Sequence, residues 1–235
     1  MLTPPSHIQS CSSRQRDFAC NERVAEYFAS QLADLSSLHK AVHLLGEEGI
    51  SLETAYRFQV GYAPSAAREL ARQLEGTDLE ESALRLGLIL EDGSGNFVDA
   101  LRDRLIFPIR NVESRIVGFG SRSIGHAQPL YLNSGESSLF RKREALFGLP
   151  EATEGVVRED EVILVEGYEQ TLSLHDKGVE IAVGYIGESF TPAQAKALKR
   201  YTENVILISA EVAMKTQKVL RAEGLKPVVI YDQPF

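Results

Sequence analysis

The chain has 235 residues, 43 % of them hydrophobic and 25 % charged, an ordinary composition for a globular protein with room for one or two domains. No apolar run approaches the roughly 20 residues of a membrane span, and Met1–Pro5 lacks the basic and apolar blocks of a secretory signal, so a cytoplasmic protein is expected. The net charge of −8 argues against indiscriminate nucleic-acid binding; Cys11 and Cys20, even with His7 nearby, make neither a disulfide framework nor a four-ligand zinc site.

Residues 1–20 are polar and rich in Ser and Pro, and are expected to be poorly ordered. From Asn21, apolar residues recur at helical spacing (Val24, Tyr27, Phe28, Leu32, Leu35, Leu38, Val42, Leu45), which predicts one or two amphipathic helices. Gly46–Gly49 ends them, and Ser51 caps a further helix. Arg57–Tyr62 reads as a short strand, 65–86 as helical, and Leu88–Leu90 as a strand entering a hairpin at Glu91-Asp-Gly-Ser-Gly. Two strands follow, Leu105–Arg110 and Arg115–Arg122, joined by the polar turn Asn111–Ser114. An irregular stretch then carries Tyr131-Leu-Asn-Ser and the basic triplet Arg141-Lys-Arg.

From Asp160 the pattern alternates. Strands are predicted at 161–165, 181–185, 204–208 and 227–231, with helices at 168–177, 191–201 and 212–223. Such alternation with short loops predicts a parallel sheet with helices on both faces. The fold class is therefore α/β, with an α+β subdomain over 21–155 and a parallel-sheet domain over 156–235.

Charge is unevenly spread. Between Leu101 and Pro150 eight Arg/Lys stand against four acids, so that window is net +4 and the rest of the chain carries −12. A local basic surface on an acidic protein suits selective contact with a phosphate backbone; the alternative is a solvated charged face with ordinary ion pairs.

Arg102-Asp-Arg-Leu-Ile-Phe-Pro-Ile-Arg, Val117-Gly-Phe-Gly-Ser-Arg, Tyr131-Leu-Asn-Ser, Leu146-Phe-Gly-Leu and Val165-Glu-Gly-Tyr occur in one order, followed by Gln194-Ala-Lys-Ala-Leu-Lys-Arg-Tyr. In that order and spacing, from about Val24 to Val229, the chain resembles bacterial primases of the DnaG type. The resemblance implies an RNA-polymerase core in which an α/β subdomain precedes a Toprim domain. It also implies that Arg102, Arg110, Arg122, Tyr131, Asn133 and Lys142 face single-stranded template and incoming nucleotide. Arginine forks suit phosphate and a tyrosine ring suits base stacking. Leu130 stands where the family has a lysine, and Ser121 where it usually has glycine.

The same resemblance implies a cluster of carboxylates holding Mg2+ or Mn2+, because several hard oxygen ligands are needed to bind such ions and activate a hydroxyl. Glu166 matches the family glutamate. Gln170 replaces an Asp, Ser209 replaces the first Asp of an Asp-x-Asp pair, and Glu211 replaces the second; Ala210 and Met214 replace glycines of that turn. Asp232 is the only candidate for a further acidic motif, so the second domain is expected to be truncated at its C-terminal end. Glu166, Glu188 and Glu211 remain as candidate acids, for a metal site or for none. Gly167 and Gly187 follow two parallel strands, where they serve tight turns or a phosphate crevice.

Three functions are compatible with these residues. One is a catalytically impaired primase-like protein, a pseudoenzyme that binds single-stranded DNA or RNA or a replication partner. Another is an active primase with an atypical metal site. The third is a regulatory or structural module that pairs with an intact primase. Partners compatible with these readings are single-stranded DNA or RNA and a primase, helicase or other replication protein.

Overall fold

The computed structural model describes residues 6–125, 127–208 and 213–230, with side chains from residue 13 onward except that of Ala213. In chain order the first half contains α1 (Ser6–Ala33), α2 (Lys40–Glu47), α3 (Leu52–Arg57), β1 (Gly61–Ala63), α4 (Glu69–Leu74) and α5 (Glu80–Arg85). Then come β2 (Ile89–Glu91), β3 (Phe97–Asp99), β4 (Arg104–Arg110), β5 (Ile116–Ser123) and β6 (Tyr131–Asn133). The second half contains β7 (Leu146–Phe147), α6 (Leu149–Glu159), β8 (Val162–Glu166), α7 (Glu169–Asp176), β9 (Ala182–Tyr185) and α8 (Pro192–Leu198). It ends with β10 (Asn204–Ile208), α9 (Ala213–Ala222) and β11 (Lys226–Ile230). No helix among the described residues is long and apolar enough to cross a membrane.

These elements form two compact units whose segments interleave in the sequence. The first comprises 1–44, 59–108 and 115–140; the second comprises 45–58, 109–114 and 141–235. Arg110, at the end of β4, therefore groups with the second unit, and so does all of α6.

In the first unit the strands run in the order β1-β4-β5-β6, with a separate β2–β3 hairpin. Helix α1 begins well before Asn21, where periodicity alone starts it, because its earlier turns also have inward partners. Asp17 is buried and accepts from Arg85 Nη2 at 2.6 Å, and Asn21 Nδ2 donates to Ile116 O at 3.1 Å. Cys20, Val24, Tyr27 and Phe28 fill the core against Ile106, Ile116 and Phe119. The helical spacing read on through Leu38 fails there: the chain turns at 34–39, and Leu38 is 92 % exposed. The predicted strand at 57–62 is displaced by a few residues. Arg57 closes α3, and pairing begins at Gly61, where a Cβ would lie 2.5 Å from that of Phe28. The hairpin at 92–96 is held as its sequence implies: the Asp92 carboxylate accepts the amides of Ser94 and Asn96. Helix α4 has no side-chain cap of its own. Asp99, from β3, accepts the amides of Leu70 and Ala71 instead.

In the second unit the order is β11-β10-β8-β9-β7, parallel except for β7, which pairs antiparallel with β9. The connection β8–α7–β9 steps one way across the sheet, and β9–α8–β10 steps back across β8. With right-handed crossovers, that reversal sends α7 to one face and α8 and α9 to the other. Accordingly α7 packs beside α3, and α8 beside α9. One face buries Val162, Leu164, Val183, Ala195, Leu198 and Leu220. The other holds an aromatic group in which Phe58 meets Phe147 and His175, and Phe147 meets Tyr168. Every predicted strand and helix after Asp160 is present within a residue or two, except that α8 ends at Leu198; β7 and α6 are additional.

The turn from β8 into α7 passes so close to β9 that Gly184 admits no side chain. A Cβ there would lie 2.3 Å from Gly167 O and 2.4 Å from Thr171 Oγ1, while Gly167 itself sits at φ +79°. Thr171 Oγ1 donates to Gly167 O, and Gly167 N to Tyr185 O, so backbone cannot yield without breaking bonds. Gly184→Ala is expected to lower unfolding stability by about 1–3 kcal/mol, the usual cost of overpacking, as a lower urea midpoint at unchanged slope.

Candidate functional site

The first unit brings three of the candidate residues to the β5–β6 ladder. Arg122 is paired in register with Tyr131, and Gly120 with Asn133. The Arg122 guanidinium stands 5.9 Å from the Tyr131 ring centroid, within cation–π range, and the tyrosine is 45 % exposed. A half-exposed ring backed by a guanidinium is a stacking platform with a cation attached. Ser121, the residue in place of a family glycine, is fully buried, and its hydroxyl donates to Leu132 O at 2.9 Å. It stitches β6 to β5. Leu130 is 43 % exposed, an apolar surface where the family pattern would put a cation. Arg102 is exposed, just before β4. Its neighbour Arg104 points inward at 5 % exposure, a placement that the charge count alone did not reveal.

Arg110 and Lys142 belong to the second unit, with different surroundings. Arg110 Nη1 donates to Ser114 O at 2.8 Å, and Nε lies 3.5 Å from Glu151 Oε1, each side chain only about a fifth exposed. Burial pushes the Glu151 carboxyl up, and the Arg110 charge works against that shift. The Arg110 fork is thus committed to its own turn and to α6. Lys142 runs along the carboxyl end of β9: its Cε lies 3.4 Å from where a Cβ on Gly187 would stand. Gly187 has φ +117°, a conformation that side chains rarely adopt. The segment carrying Lys142 is pinned to α8, since Thr191 Oγ1 donates to Arg143 O and Gln194 Nε2 to Ala145 O.

Glu166 ends the central strand β8 at the point where the following helices diverge to opposite faces, and its side chain is exposed there. Tyr185, its partner in register on β9, donates its hydroxyl to Glu166 Oε2 at 3.1 Å. Burial first, and the Glu166 charge next, hold the Tyr185 phenol well above the usual range, so it remains a donor. Sequence reading missed Tyr185; a phenol closing a strand beside the family glutamate's strand was its only sign. Glu188 is exposed in the loop after β9, and Gln170 lies in the first turn of α7. Ser209, Ala210, Glu211 and Asp232 lie outside the described residues, as do the side chains of His7 and Cys11. Among the described residues no three His, Cys, Asp or Glu side chains gather into a metal-holding group. Glu166 and Glu188 by themselves do not fit the several-oxygen shell that Mg2+ requires.

Residues 27–153 match the family model for the N-terminal domain of the DNA primase catalytic core. A DNA primase of Halalkalibacterium halodurans is 35 % identical over 232 residues, covering 94 % of this chain and 39 % of that protein. The zinc-binding and RNA polymerase domains of the Aquifex aeolicus primase match with a TM-score of 0.86 at 30 % identity, over 94 % of this chain and 55 % of that one. A DnaG primase catalytic domain bound to single-stranded DNA matches with a TM-score of 0.82 at 27 % identity, over 95 % of this chain and 75 % of that one. The chain spans about a third of the length of the curated relatives it matches.

Tyr185→Phe is expected to remove one tyrosine from the last-ionising group in an alkaline absorbance titration.

Proposed function

Because this chain belongs to the family of bacterial DnaG-type primases, we propose that it is a primase-core protein that binds single-stranded nucleic acid while impaired in primer synthesis. The observation that carries the binding half is the Arg122–Tyr131 pair on the β5–β6 ladder, a cation and an exposed ring side by side. Single strands are held by this combination without sequence preference, since every base has a π-face and every linkage a phosphate. Arg102 and Asn133 extend the polar contacts of the first unit, and Lys142 beside Gly187 offers a cation at the carboxyl end of the second unit's sheet. Arg110 serves in this reading as a support for the turn at 111–114 rather than as a phosphate contact.

The impaired half rests on residue chemistry. In the proposed Toprim reading of the second unit, Glu166 supplies the family acid at the end of β8 and Tyr185 orients it. Where the family pattern has two further acids, this chain has Gln170 and Ser209, neither of which is a strong ligand for a hard cation. Glu188 and Glu211 are the remaining acids. A bound divalent ion would stabilise charge on the transferring phosphoryl group, but no step is assigned to it with this donor set.

A fluorescent oligonucleotide titrated at several salt concentrations, beside template-directed primer synthesis with Mg2+ or Mn2+, tests both halves. Binding is expected to weaken with salt, and reversing the charges of Arg141, Lys142 and Arg143 should weaken it further and flatten the salt slope. No primers are expected. Synthesis that disappears in Glu166→Gln would overturn the impaired reading; salt-insensitive or absent binding would leave a module that pairs with another replication protein.

A further inference from the structure

The phrase Arg102-Asp103-Arg104 contains two arginines with opposite fates: the first is exposed, and the second is almost fully buried. The residue between them sets that division. Asp103 adopts φ +53°, a left-handed conformation that Asp tolerates better than most side chains. It is held on every side. Its amide donates to Pro64 O, its carbonyl accepts from Ile124 N, and its carboxylate accepts from the Tyr62 hydroxyl at 3.3 Å. Its other carboxylate oxygen lies against Gly125, where a Cβ would come within 2.9 Å.

Arg104 then enters the interior beside β1, in register with Ala63. A buried guanidinium is costly unless its donors are used, and among the described residues no carboxylate bonds this one. It donates to two backbone carbonyls instead, Pro129 O at 2.8 Å and Leu130 O at 3.1 Å. Leu130 O also accepts from Ser123 N at 2.9 Å, the residue after Arg122. The fork therefore grips the two residues before Tyr131 from beneath, at the point where β6 joins Arg122 on β5. Lysine, a compact point charge, cannot span both carbonyls in this way.

We propose that Tyr62, Asp103 and Arg104 are positioning residues that hold Tyr131 against Arg122 for base stacking, and that Arg104 makes no phosphate contact. This rests on the reading of the β5–β6 face as a nucleic-acid surface. It assigns the basic phrase two separate tasks, charge outward at Arg102 and geometry inward at Arg104.

The test compares Arg104→Lys, Tyr62→Phe and Arg102→Ala in oligonucleotide affinity across a salt series, with hydrogen exchange of the Ser123 amide measured without DNA. Arg104→Lys keeps the charge, and should weaken binding by at least about fivefold, the low end of one stacking contact, with the salt slope unchanged. Tyr131→Ala added to Arg104→Lys should cost little more, whereas a merely structural loss would add to it. Arg102→Ala should lower the slope by about 0.7, as for one lost phosphate contact on a single strand. Ser123 exchange should accelerate in Arg104→Lys. Tyr62→Phe deletes one hydroxyl, and should show the same pattern more weakly, so the test stands even where Arg104→Lys does not fold. A slope lowered in Arg104→Lys, full additivity with Tyr131→Ala, or unchanged Ser123 exchange in both variants would overturn the proposal. Failure of the unaltered protein to bind oligonucleotide would sink the functional reading alone, and the exchange rates would still decide the clamp.

Discussion

Gly184 has no space for even one carbon beyond its backbone, because the turn from β8 into α7 lies on top of it. That close approach fixes what stands at the edge of the second unit's sheet. It lets Gly167 donate to Tyr185 O, keeps β8 and β9 in register to their last residues, and so brings the Tyr185 hydroxyl to Glu166. The reversal of crossover direction at β8 supplies the other half, sending the helices that follow β8 and β9 to opposite faces of the sheet. A side chain at 184 would separate the strands at the very end where Glu166 stands.

The first unit solves a related problem with charge rather than with space. A short edge strand such as β6, with three residues, has little pairing of its own to hold it. It is secured by side chains: Ser121 reaches Leu132 O, Ser134 Oγ accepts from Phe119 N, and Arg104 grips the carbonyls just before it. The interior of this unit therefore contains a cation that, among the described residues, bonds only backbone carbonyls. Such a group is unforgiving, since deleting it leaves carbonyls short of a donor and shortening its reach leaves a charge buried.

The alternation after Asp160 was legible because each strand is a short apolar run and each helix has its own punctuation. Thr191 with Gln194 forms a capping box, and Gly167 and Gly187 take the positive φ their positions implied. The Ser51 cap and the Asp92 hairpin were legible for the same reason: the signal and the structure it makes are a few residues apart. What sequence reading missed depends on distant partners. The early turns of α1 look polar, yet Asp17 is paired with Arg85 and Asn21 with Ile116. Arg57 reads as the start of a strand but ends α3, where its guanidinium donates to His175 O. The basic window reads as one surface, whereas Arg104 is interior and Arg110 is tied to Glu151 and Ser114. Charge counting cannot separate an arginine that meets solvent from one that holds a carbonyl.

That separation bears on how a primase core can lose acids and keep its shape. The groups that hold the carboxyl end of β8 and β9 are Gly184, Gly167, Thr171 and Tyr185, none of which carries a carboxylate. Acids gathered around a cation are a burden on the fold without it, because like charges repel and each must shed water. In the proposed reading, Gln170 in place of such a residue removes charge while keeping hydrogen-bonding capacity. The first unit differs: Arg104 carries charge and also holds backbone carbonyls, and Asp103 carries charge and also holds the Tyr62 hydroxyl, so the fold itself constrains them. In the proposed reading, the nucleic-acid face persists because its supports are structural, while the acids are free to change because only catalysis requires them.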